Sequence, residues 1–271
     1  MHIADIVDLE RYPVHAPGTP GYRALVTRAG EALRATGACE LPGFLTPAGV
    51  ARAVQEAASL AALAYPSSSR ATVYLGGADA SLGPDHARSI VLSSSVRVIA
   101  SDDVPADHAL HQLYAWEPLL QFLADVLGLP RLHRYADPLG ALNIAVMGDG
   151  DALGWHFDQT DFVTSLALVP AERGGDFEYH PLIRSEADEC FDDVGAVLRG
   201  ERDDAVRLPM TPGTFLLFMG RHSLHRVTPI RGARDRIVAL LAYDRRPGTD
   251  STAELKRARY GRERARGAPS A

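Results

Sequence analysis

The chain has 271 residues, of which 46% are hydrophobic and 23% charged, and its formal net charge is −6. This length suffices for one large domain with a full core or for two small domains. The mildly acidic balance gives no general attraction to nucleic acid or to anionic membranes, so neither is expected as a partner. Only two cysteines, no apolar leader and no run of about 18 apolar residues predict a cytoplasmic protein without a disulfide framework.

The first half of the chain is predicted to be mainly helical. Apolar residues recur at three- and four-residue spacing in 22–36, 47–64 and 106–128, which predicts amphipathic helices. Thr46 followed by Pro47 is a good helix start, because the hydroxyl caps the first turn and proline fits that turn. The third helix is expected to run unbroken through its whole range.

Two other segments of this half receive a different prediction. Residues 38–45 are expected to form a short strand and turn. Residues 66–104 are rich in serine, glycine and aspartate, which predicts irregular surface structure with short strands. Such a segment could cover a site as a lid.

The residue pattern changes after residue 138. Short runs of apolar and β-branched residues are separated by glycine, aspartate and proline, which is typical of a β-barrel or β-sandwich. The predicted strands are 139–147, 154–169, 176–183, 205–208, 214–219, 224–230 and 236–243. Residues 186–199 are predicted to be a helical insertion, and the basic tail from residue 246 either forms a helix at 252–260 or is loose.

These segments predict a single α+β domain spanning residues 1–271. Residues 1–138 would form a helical buttress and the first strands, 139–246 the β core, and 247–271 a polar basic tail. Because an amphipathic helix must bury its apolar stripe, the helices are expected to cover one face of the larger sheet.

The most informative segment is GWHFDQTDF at 154–162. Alternate residues of a strand face the same side, so His156 and Asp158 are expected to point together into whatever the strand lines. A histidine and a carboxylate two positions apart supply two of the three ligands in the facial triad of open-site Fe(II) oxygenases. On its own, this spacing occurs often by chance.

A second segment offers a third ligand. PGTFLLF at 212–218 is predicted to be an apolar strand, and LHRVTP at 224–229 opens another strand that carries His225. Two histidines and one carboxylate take three positions of an octahedral metal and leave three for substrates and oxygen. We therefore predict a metal site formed by His156, Asp158 and His225.

Two arginines follow this segment. Arg236 opens an apolar run that reaches residue 243, and Arg234 precedes it by two positions. An arginine fork binds a carboxylate in bidentate fashion. A dicarboxylate that chelates a metal at one end needs such a cation at its other end. Arg236 is the preferred candidate because it lies on the strand, and Arg234 is the reserve.

Together and in this order, these pieces resemble the 2-oxoglutarate- and Fe(II)-dependent dioxygenase superfamily over residues 139–246. The resemblance rests on HFD at 156–158, the GGDF turn at 174–177, PGTFLLF at 212–218, and HRVTPI at 225–230 followed by an arginine. It implies a double-stranded β-helix (jelly-roll or cupin-like) core with helices packed outside. It also implies Fe(II), 2-oxoglutarate and O2 as cofactor and cosubstrates, with 2-oxoglutarate on Arg236. By strand parity, Asn143 is a further candidate for hydrogen bonding to the cosubstrate.

More narrowly, GWHFDQTDF with RHSLHRVTP at 221–229 is similar to a bacterial subgroup of secondary metabolism. That subgroup contains small-molecule hydroxylases and radical halogenases of free amino acids. In those halogenases a small residue replaces the carboxylate and leaves room for chloride, whereas this chain retains Asp158. The resemblance therefore implies hydroxylation of an unactivated C–H of an amino acid or an amino-acid-derived metabolite, with release of succinate and CO2.

Several alternatives stay open at this point. The same cofactor chemistry could give desaturation, cyclisation or demethylation of another substrate. The target could be a protein or a nucleic acid, although the acidic balance argues against the latter. A cupin-like metal-binding protein without 2-oxoglutarate turnover is a further option. The oligomeric state is open, with a homodimer the commonest arrangement for oligomers.

Overall fold

The computed structural model describes residues 2–267. Its helices are α1 (Pro20–Thr36), α2 (Pro47–Ser59), α3 (Ala109–Ala115), α4 (Glu117–Val126), α5 (Phe191–Leu198) and α6 (Ala253–Tyr260). Its strands are β1 (Ala38–Leu41), β2 (Tyr65–Ala71), β3 (Leu92–Ile99), β4 (His133–Arg134), β5 (Leu142–Met147), β6 (Leu153–His156), β7 (Val163–Val169), β8 (Phe177–His180), β9 (Val206–Leu208), β10 (Phe215–Phe218), β11 (Leu224–Val227), β12 (Arg236–Leu241) and β13 (Tyr243–Asp244). Short 3-10 turns lie at Ile3–Asp5, Ala61–Leu63 and Ser101–Asp103.

Most strands belong to two antiparallel sheets that pack face to face. The larger sheet has seven strands in the order β1-β10-β7-β12-β5-β3-β2, and the smaller has four in the order β6-β11-β8-β9. Strand β13 pairs separately with β4. Between the sheets, the ring of Phe218 lies 5.1 Å from that of Phe177 and 5.2 Å from that of Tyr179, measured between centroids.

The two faces of the larger sheet bury different partners. On one face, Ile144 of β5 shares a buried cluster with helix residues such as Leu33 and Phe122. On the other face, Ala145 packs with Val227 of the smaller sheet. Each fully buried aliphatic or aromatic side chain contributes about 1.5–3 kcal/mol relative to an exposed one. The helices therefore stabilise the outer face, and the inner face is left to enclose a site.

The predicted helix start at Thr46 and Pro47 is confirmed. The Thr46 hydroxyl accepts a hydrogen bond from the backbone N–H of Gly49 at 2.9 Å, and Pro47 is the first residue of α2. The helix predicted at 47–64 ends earlier, because the chain tightens into the 3-10 turn Ala61–Leu63 after Ser59.

The single helix predicted at 106–128 is wrong, because the chain forms two helices there. Helix α3 ends at Ala115, Trp116 has an extended backbone (φ −75°, ψ 114°), and α4 begins at Glu117. The cause is Pro118, which has no N–H to donate and whose ring would clash with the carbonyl of Tyr114 in a continuous helix.

Residues 66–104 are more regular than predicted. Strands β2 and β3 pair from Tyr65 opposite Val98 to Ala71 opposite Leu92, and they extend the larger sheet. Serine-rich strands lack the apolar alternation that marks a half-buried strand, so the sequence pattern does not reveal this hairpin. The irregular part is the connection 72–91.

The strand predicted at 154–169 is divided between the two sheets. Strand β6 ends at His156 in the smaller sheet, and β7 begins at Val163 in the larger one. Residues 157–162 cross between them, which places the end of the HFD motif at the rim of the space between the sheets.

The basic tail forms the predicted helix. The Thr252 hydroxyl accepts a hydrogen bond from the Leu255 N–H at 3.2 Å at the start of α6, and Gly261 ends the helix in the left-handed conformation (φ 69°). Lys256 is buried and pairs with Asp137 at 3.6 Å and with Asp250 at 2.5 Å. This helix is therefore docked on the protein.

A second anchor follows the helix, at Arg262. Its guanidinium pairs with Asp102 at 2.7 Å and with Asp103 at 2.8 Å, and the Asp103 side chain is only 3% exposed. We expect Arg262→Ala to lower the free energy of unfolding by about 1–3 kcal/mol, because charged hydrogen bonds to a buried carboxylate are lost. Urea denaturation and limited proteolysis near α6 would measure this. Arg257→Ala, which removes an exposed arginine from the same segment, should change neither.

No helix among residues 2–267 is both long and apolar enough to cross a membrane. Cys39 and Cys190 are free thiols. Burial raises the pKa of Cys39 to about 11, so this thiol stays protonated and unreactive near neutral pH.

Candidate metal centre

The two histidines lie opposite each other on neighbouring strands of the smaller sheet. His225 on β11 is the register partner of His156 on β6, and their ring centroids are 4.1 Å apart. His156 Nδ1 lies 2.8 Å from the carbonyl oxygen of Gly154, and His225 Nδ1 lies 2.9 Å from that of Ser223. A carbonyl oxygen can only accept, so each Nδ1 donates its proton and each Nε2 keeps a lone pair for a metal.

Asp158 joins the histidines from just beyond the end of β6. Its backbone N–H donates to the carbonyl oxygen of Gly220 at 3.0 Å, and its Oδ2 lies 3.5 Å from His225 Nε2. One ligand atom from each of His156, Asp158 and His225 lies within 4.8 Å of the other two. Asp158 Oδ2 is buried and has no hydrogen-bond partner among residues 2–267. A buried carboxylate oxygen without a hydrogen bond is stabilised by a cation, so the three residues fit a metal ion.

Gly220 makes room for the Asp158 carboxylate. A methyl group built on Gly220 would lie 1.7 Å from Asp158 Oδ2 and 2.6 Å from its Cγ. Glycine is therefore required here for the observed carboxylate position. The sequence alone does not reveal the role of this residue, because the contact joins two loops that are 62 positions apart in the chain, from 158 to 220.

The surroundings keep His156 in the form that binds metals. Loss of solvation and the nearby His225 lower the pKa of His156 to about 4, and Arg259 acts in the same direction. The imidazole is thus neutral at physiological pH, as ligation requires. Within residues 2–267, the triad is the one group of His, Cys, Asp and Glu side chains that could hold a metal ion. Its two nitrogens and one carboxylate suit Fe(II) with open positions.

Arg236 lies at the start of β12, opposite Met147, and is only 6% exposed. Its Nη1 is 3.9 Å from the Met147 sulfur, and the guanidinium has no ion-pair partner among the described residues. Burial lowers the pKa of Arg236 to about 10, while Asp176 opposes that shift, so the group stays charged at neutral pH. A buried cation without a partner is costly unless an anionic ligand supplies the opposite charge.

The other two candidate residues lie in different surroundings. Arg234 is exposed, and its guanidinium donates to the carbonyl oxygens of Pro170 at 3.0 Å and Ala171 at 3.2 Å. Asn143 is buried on the inner face of β5, where its Nδ2 donates to the Gly140 carbonyl at 3.1 Å and to the Tyr260 hydroxyl at 3.3 Å. The structure therefore leaves Arg236, not Arg234, in the interior.

A cavity of about 590 Å³ opens beside Asp158. This volume is in the range of small-molecule sites. Asn143 borders it on the inner side, Leu75 of the connection 72–91 borders it at the rim, and Arg259 and Tyr260 of α6 form part of its wall. The sequence pattern predicts a helix in the tail but does not predict its position, because the main partners of α6 lie more than 100 residues earlier in the chain.

A family model described as halogenase D matches residues 24–259. The chain belongs to the halogenase D family. The match runs from α1 to α6 and includes the three candidate ligands and Arg236. It confirms the resemblance to 2-oxoglutarate/Fe(II) oxygenases that the motifs predicted. No protein of curated function matches the sequence.

Solved structures share the fold of this halogenase D family member. One is an oxidoreductase of the 2OG-Fe(II) oxygenase family from Burkholderia pseudomallei, with 18% identity, a TM-score of 0.52 and coverage of 83% of this chain and 92% of that one. Another is the non-heme alpha-ketoglutarate-dependent epimerase SnoN from nogalamycin biosynthesis, with 17% identity, a TM-score of 0.57 and coverage of 82% and 81%. A prolyl-4-hydroxylase from Pseudomonas putida has 16% identity, a TM-score of 0.50 and coverage of 80% and 97%. At these identities the likeness shows the fold.

Proposed function

We propose that this protein is a 2-oxoglutarate- and Fe(II)-dependent oxygenase that hydroxylates an unactivated C–H bond of a small molecule. An amino acid or an amino-acid-derived metabolite is the proposed substrate. The observation that carries the proposal is the buried Oδ2 atom of Asp158, which has no hydrogen-bond partner among residues 2–267 and lies beside two histidines whose Nε2 atoms are free for a metal. The halogenase D family match supports the class of chemistry.

His156, Asp158 and His225 would hold the iron, and Arg236 would bind the distal carboxylate of 2-oxoglutarate. When bound, Fe(II) supplies an oxidation in which O2 and 2-oxoglutarate are consumed, succinate and CO2 are released, and one oxygen atom enters the substrate C–H bond. The chain's own groups orient the reactants: the carbonyls of Gly154 and Ser223 fix the two imidazoles, and buried Arg236 fixes the cosubstrate.

Asp158 favours hydroxylation over halogenation within this family. The radical halogenases that the sequence resembles have a small residue at this position, which leaves room for chloride on the metal. Here the carboxylate fills that room, and Gly220 provides the space that lets it do so. We therefore infer an oxygen-transfer outcome despite the name of the family model.

Succinate formation tests the proposal. The protein is purified without oxygen, mixed with Fe(II), ascorbate and 2-oxoglutarate, and exposed to air with one member of an amino-acid panel in each tube. We expect one compound to raise succinate above the basal rate and to gain the mass of one oxygen atom. A product lighter by two hydrogens would indicate desaturation or ring closure instead, and a chlorinated product in chloride buffer would contradict the hydroxylase assignment. Absence of 2-oxoglutarate turnover with bound iron would favour a cupin-like binding protein.

Two neighbouring arginines give a matched test of cosubstrate binding. Arg236→Leu should raise the KM for 2-oxoglutarate at least 30-fold, because truncating one partner of a buried charge pair costs about 2–5 kcal/mol. Arg234→Leu should leave that KM unchanged, since its guanidinium lies outside on backbone carbonyls. Initial rates of succinate formation at varied 2-oxoglutarate provide the measurement. The reverse pattern would transfer the role to Arg234.

A further inference from the structure

Arginines and aspartates line the cavity in equal number. The arginines are Arg221, Arg245, Arg246 and Arg259, and the aspartates are Asp158, Asp161, Asp244 and Asp250. An anionic ligand would therefore bind only where one of these arginines has no carboxylate partner.

Most of these charges are already neutralised or lie in solvent. Asp161 forms ion pairs with Arg221 at 2.8 Å and with Arg245, so these two arginines already have a carboxylate partner. Arg246 is exposed. Arg259 differs, because it is partly buried in the cavity wall and has no carboxylate partner among residues 2–267.

Arg259 also lies near the metal centre, because it lines the same cavity as Asp158. Its guanidinium interacts with the side chain of Tyr260, the next residue of the helix, and opposes the rise that burial causes in the pKa of Tyr260. Arg236, by contrast, does not line this cavity and lies at the far end of β12 from Leu240, which does. Among residues 2–267, Arg236 and Arg259 are therefore two separate guanidinium groups without a carboxylate partner, one buried and one in the cavity wall.

The helix that carries Arg259 is fixed on both sides of it. Lys256 is bound to Asp137 and Asp250, and the Tyr260 hydroxyl accepts a hydrogen bond from Asn143 at 3.3 Å. Arg262 then pairs with Asp102 and Asp103. A binding residue on a backbone that is already fixed loses less conformational entropy when its ligand arrives than one on a mobile segment.

We propose that Arg259 binds an anionic group of the primary substrate, so that the substrate is a carboxylate or a phosphate compound. This inference rests on the proposed function and adds the residue that would bind the anionic group of its substrate. The guanidinium fork matches both anions in bidentate geometry. The anion would sit in the cavity beside Asp158, with 2-oxoglutarate held separately at Arg236.

Paramagnetic NMR tests the proposal without a known substrate. The protein is loaded with Mn(II) at the triad and saturated with 2-oxoglutarate, which occupies Arg236. Trifluoroacetate, observed by 19F, and inorganic phosphate, observed by 31P, are the anionic probes, and trifluoroacetamide is the neutral control. We expect at least one anion to be broadened by the nearby Mn(II) more than the amide in the wild type. Comparison of the two anions distinguishes a carboxylate from a phosphate substrate.

Variants of two arginines on α6 show whether Arg259 causes the excess broadening of the anion signal. Arg259→Leu should reduce the excess broadening about tenfold, because hydrogen bonds to a charged partner contribute about 1.5–3 kcal/mol, and Arg259→Lys should restore part of it. Arg257→Leu should match the wild type, since Arg257 is exposed and pairs with Glu263 outside the cavity. Equal broadening in Arg259→Leu, or no excess over the amide in the wild type, would overturn the proposal.

The design separates this inference from the proposed function. Mn(II) affinity and the KM for 2-oxoglutarate should be unchanged in Arg259→Leu, whereas a defect in either would indicate that Arg259 serves the cosubstrate. Failure of Mn(II) to bind the wild-type triad would contradict the proposed function instead. In parallel, trifluoroacetate is titrated into the metal-free wild type and into metal-free Arg259→Leu, and its 19F chemical shift is followed. This comparison tests anion binding by Arg259 even if Mn(II) does not bind the triad.

Discussion

Replacing His225 by alanine is expected to abolish iron-dependent turnover. His225 is 5% exposed, and its Nε2 is one of two imidazole nitrogens left free by backbone hydrogen bonds. Loss of a residue that only hydrogen-bonds a metal ligand lowers metal affinity by about 10–100-fold, so loss of the ligand itself should lower it by about 100-fold or more. Iron content after dialysis and the rate of succinate formation measure the two consequences. Asp158→Ala should behave in the same way.

The matched control for this experiment is His15→Ala. His15 is exposed and far from the triad in sequence, so its removal should leave iron content and turnover at the wild-type level. Far-UV circular dichroism should be unchanged for all three variants, since the triad lies at the rim between the sheets and not in the main apolar cluster. Wild-type iron content in His225→Ala would contradict the assignment of this ligand.

Gly220→Ala is expected to have an effect of similar size, although Gly220 is not a ligand. The new methyl group would overlap Asp158, with 1.7 Å to Oδ2 and 3.0 Å to its Cβ. Real Cβ atoms do not approach this closely, so the carboxylate must swing away from the histidines. We therefore expect iron affinity to fall by about 100-fold, with the free energy of unfolding little changed. Calorimetric titration with Fe(II) under anaerobic conditions would measure the affinity.

A double-mutant cycle shows whether Gly220 acts through Asp158. If it does, Gly220→Ala adds nothing to Asp158→Ala, and the two effects are strongly non-additive. Gly83→Ala is the matched control, because a methyl group there meets no atom within 4 Å. Additive losses of affinity would mean that Gly220 affects the site by another route, and wild-type affinity in Gly220→Ala would refute the steric argument.

The clustering of His156, Asp158 and His225 is predictable because it depends on strand geometry that is visible in the sequence. His156 ends one short apolar run and His225 lies near the start of another, and pairing of those runs places the two side chains opposite each other. Arg236 was preferred over Arg234 for the same reason: it lies on the strand and therefore faces the interior. The start of α2 is predictable for a similar reason, because its signals, the Thr46 hydroxyl and Pro47, are adjacent in the sequence.

The contacts between distant segments were not predictable in this way. Nothing around Gly220 marks it as the neighbour of Asp158, since that contact exists only after the sheets have packed. The position of α6 against the cavity depends on ion pairs with Asp102, Asp103 and Asp137, which lie far away in the chain. The break between α3 and α4 at Trp116 is different. Pro118 signals this break in the sequence, but the strong apolar periodicity of residues 106–128 favours one continuous helix.

The most direct test of the account is a crystal structure of the protein grown without oxygen in Fe(II) and 2-oxoglutarate, with anomalous data collected at the iron edge. We predict one anomalous peak bonded to His156 Nε2, His225 Nε2 and a carboxylate oxygen of Asp158, with 2-oxoglutarate on the metal and its distal carboxylate on Arg236. A peak at other residues, or an iron at the triad with 2-oxoglutarate bound elsewhere, would contradict it.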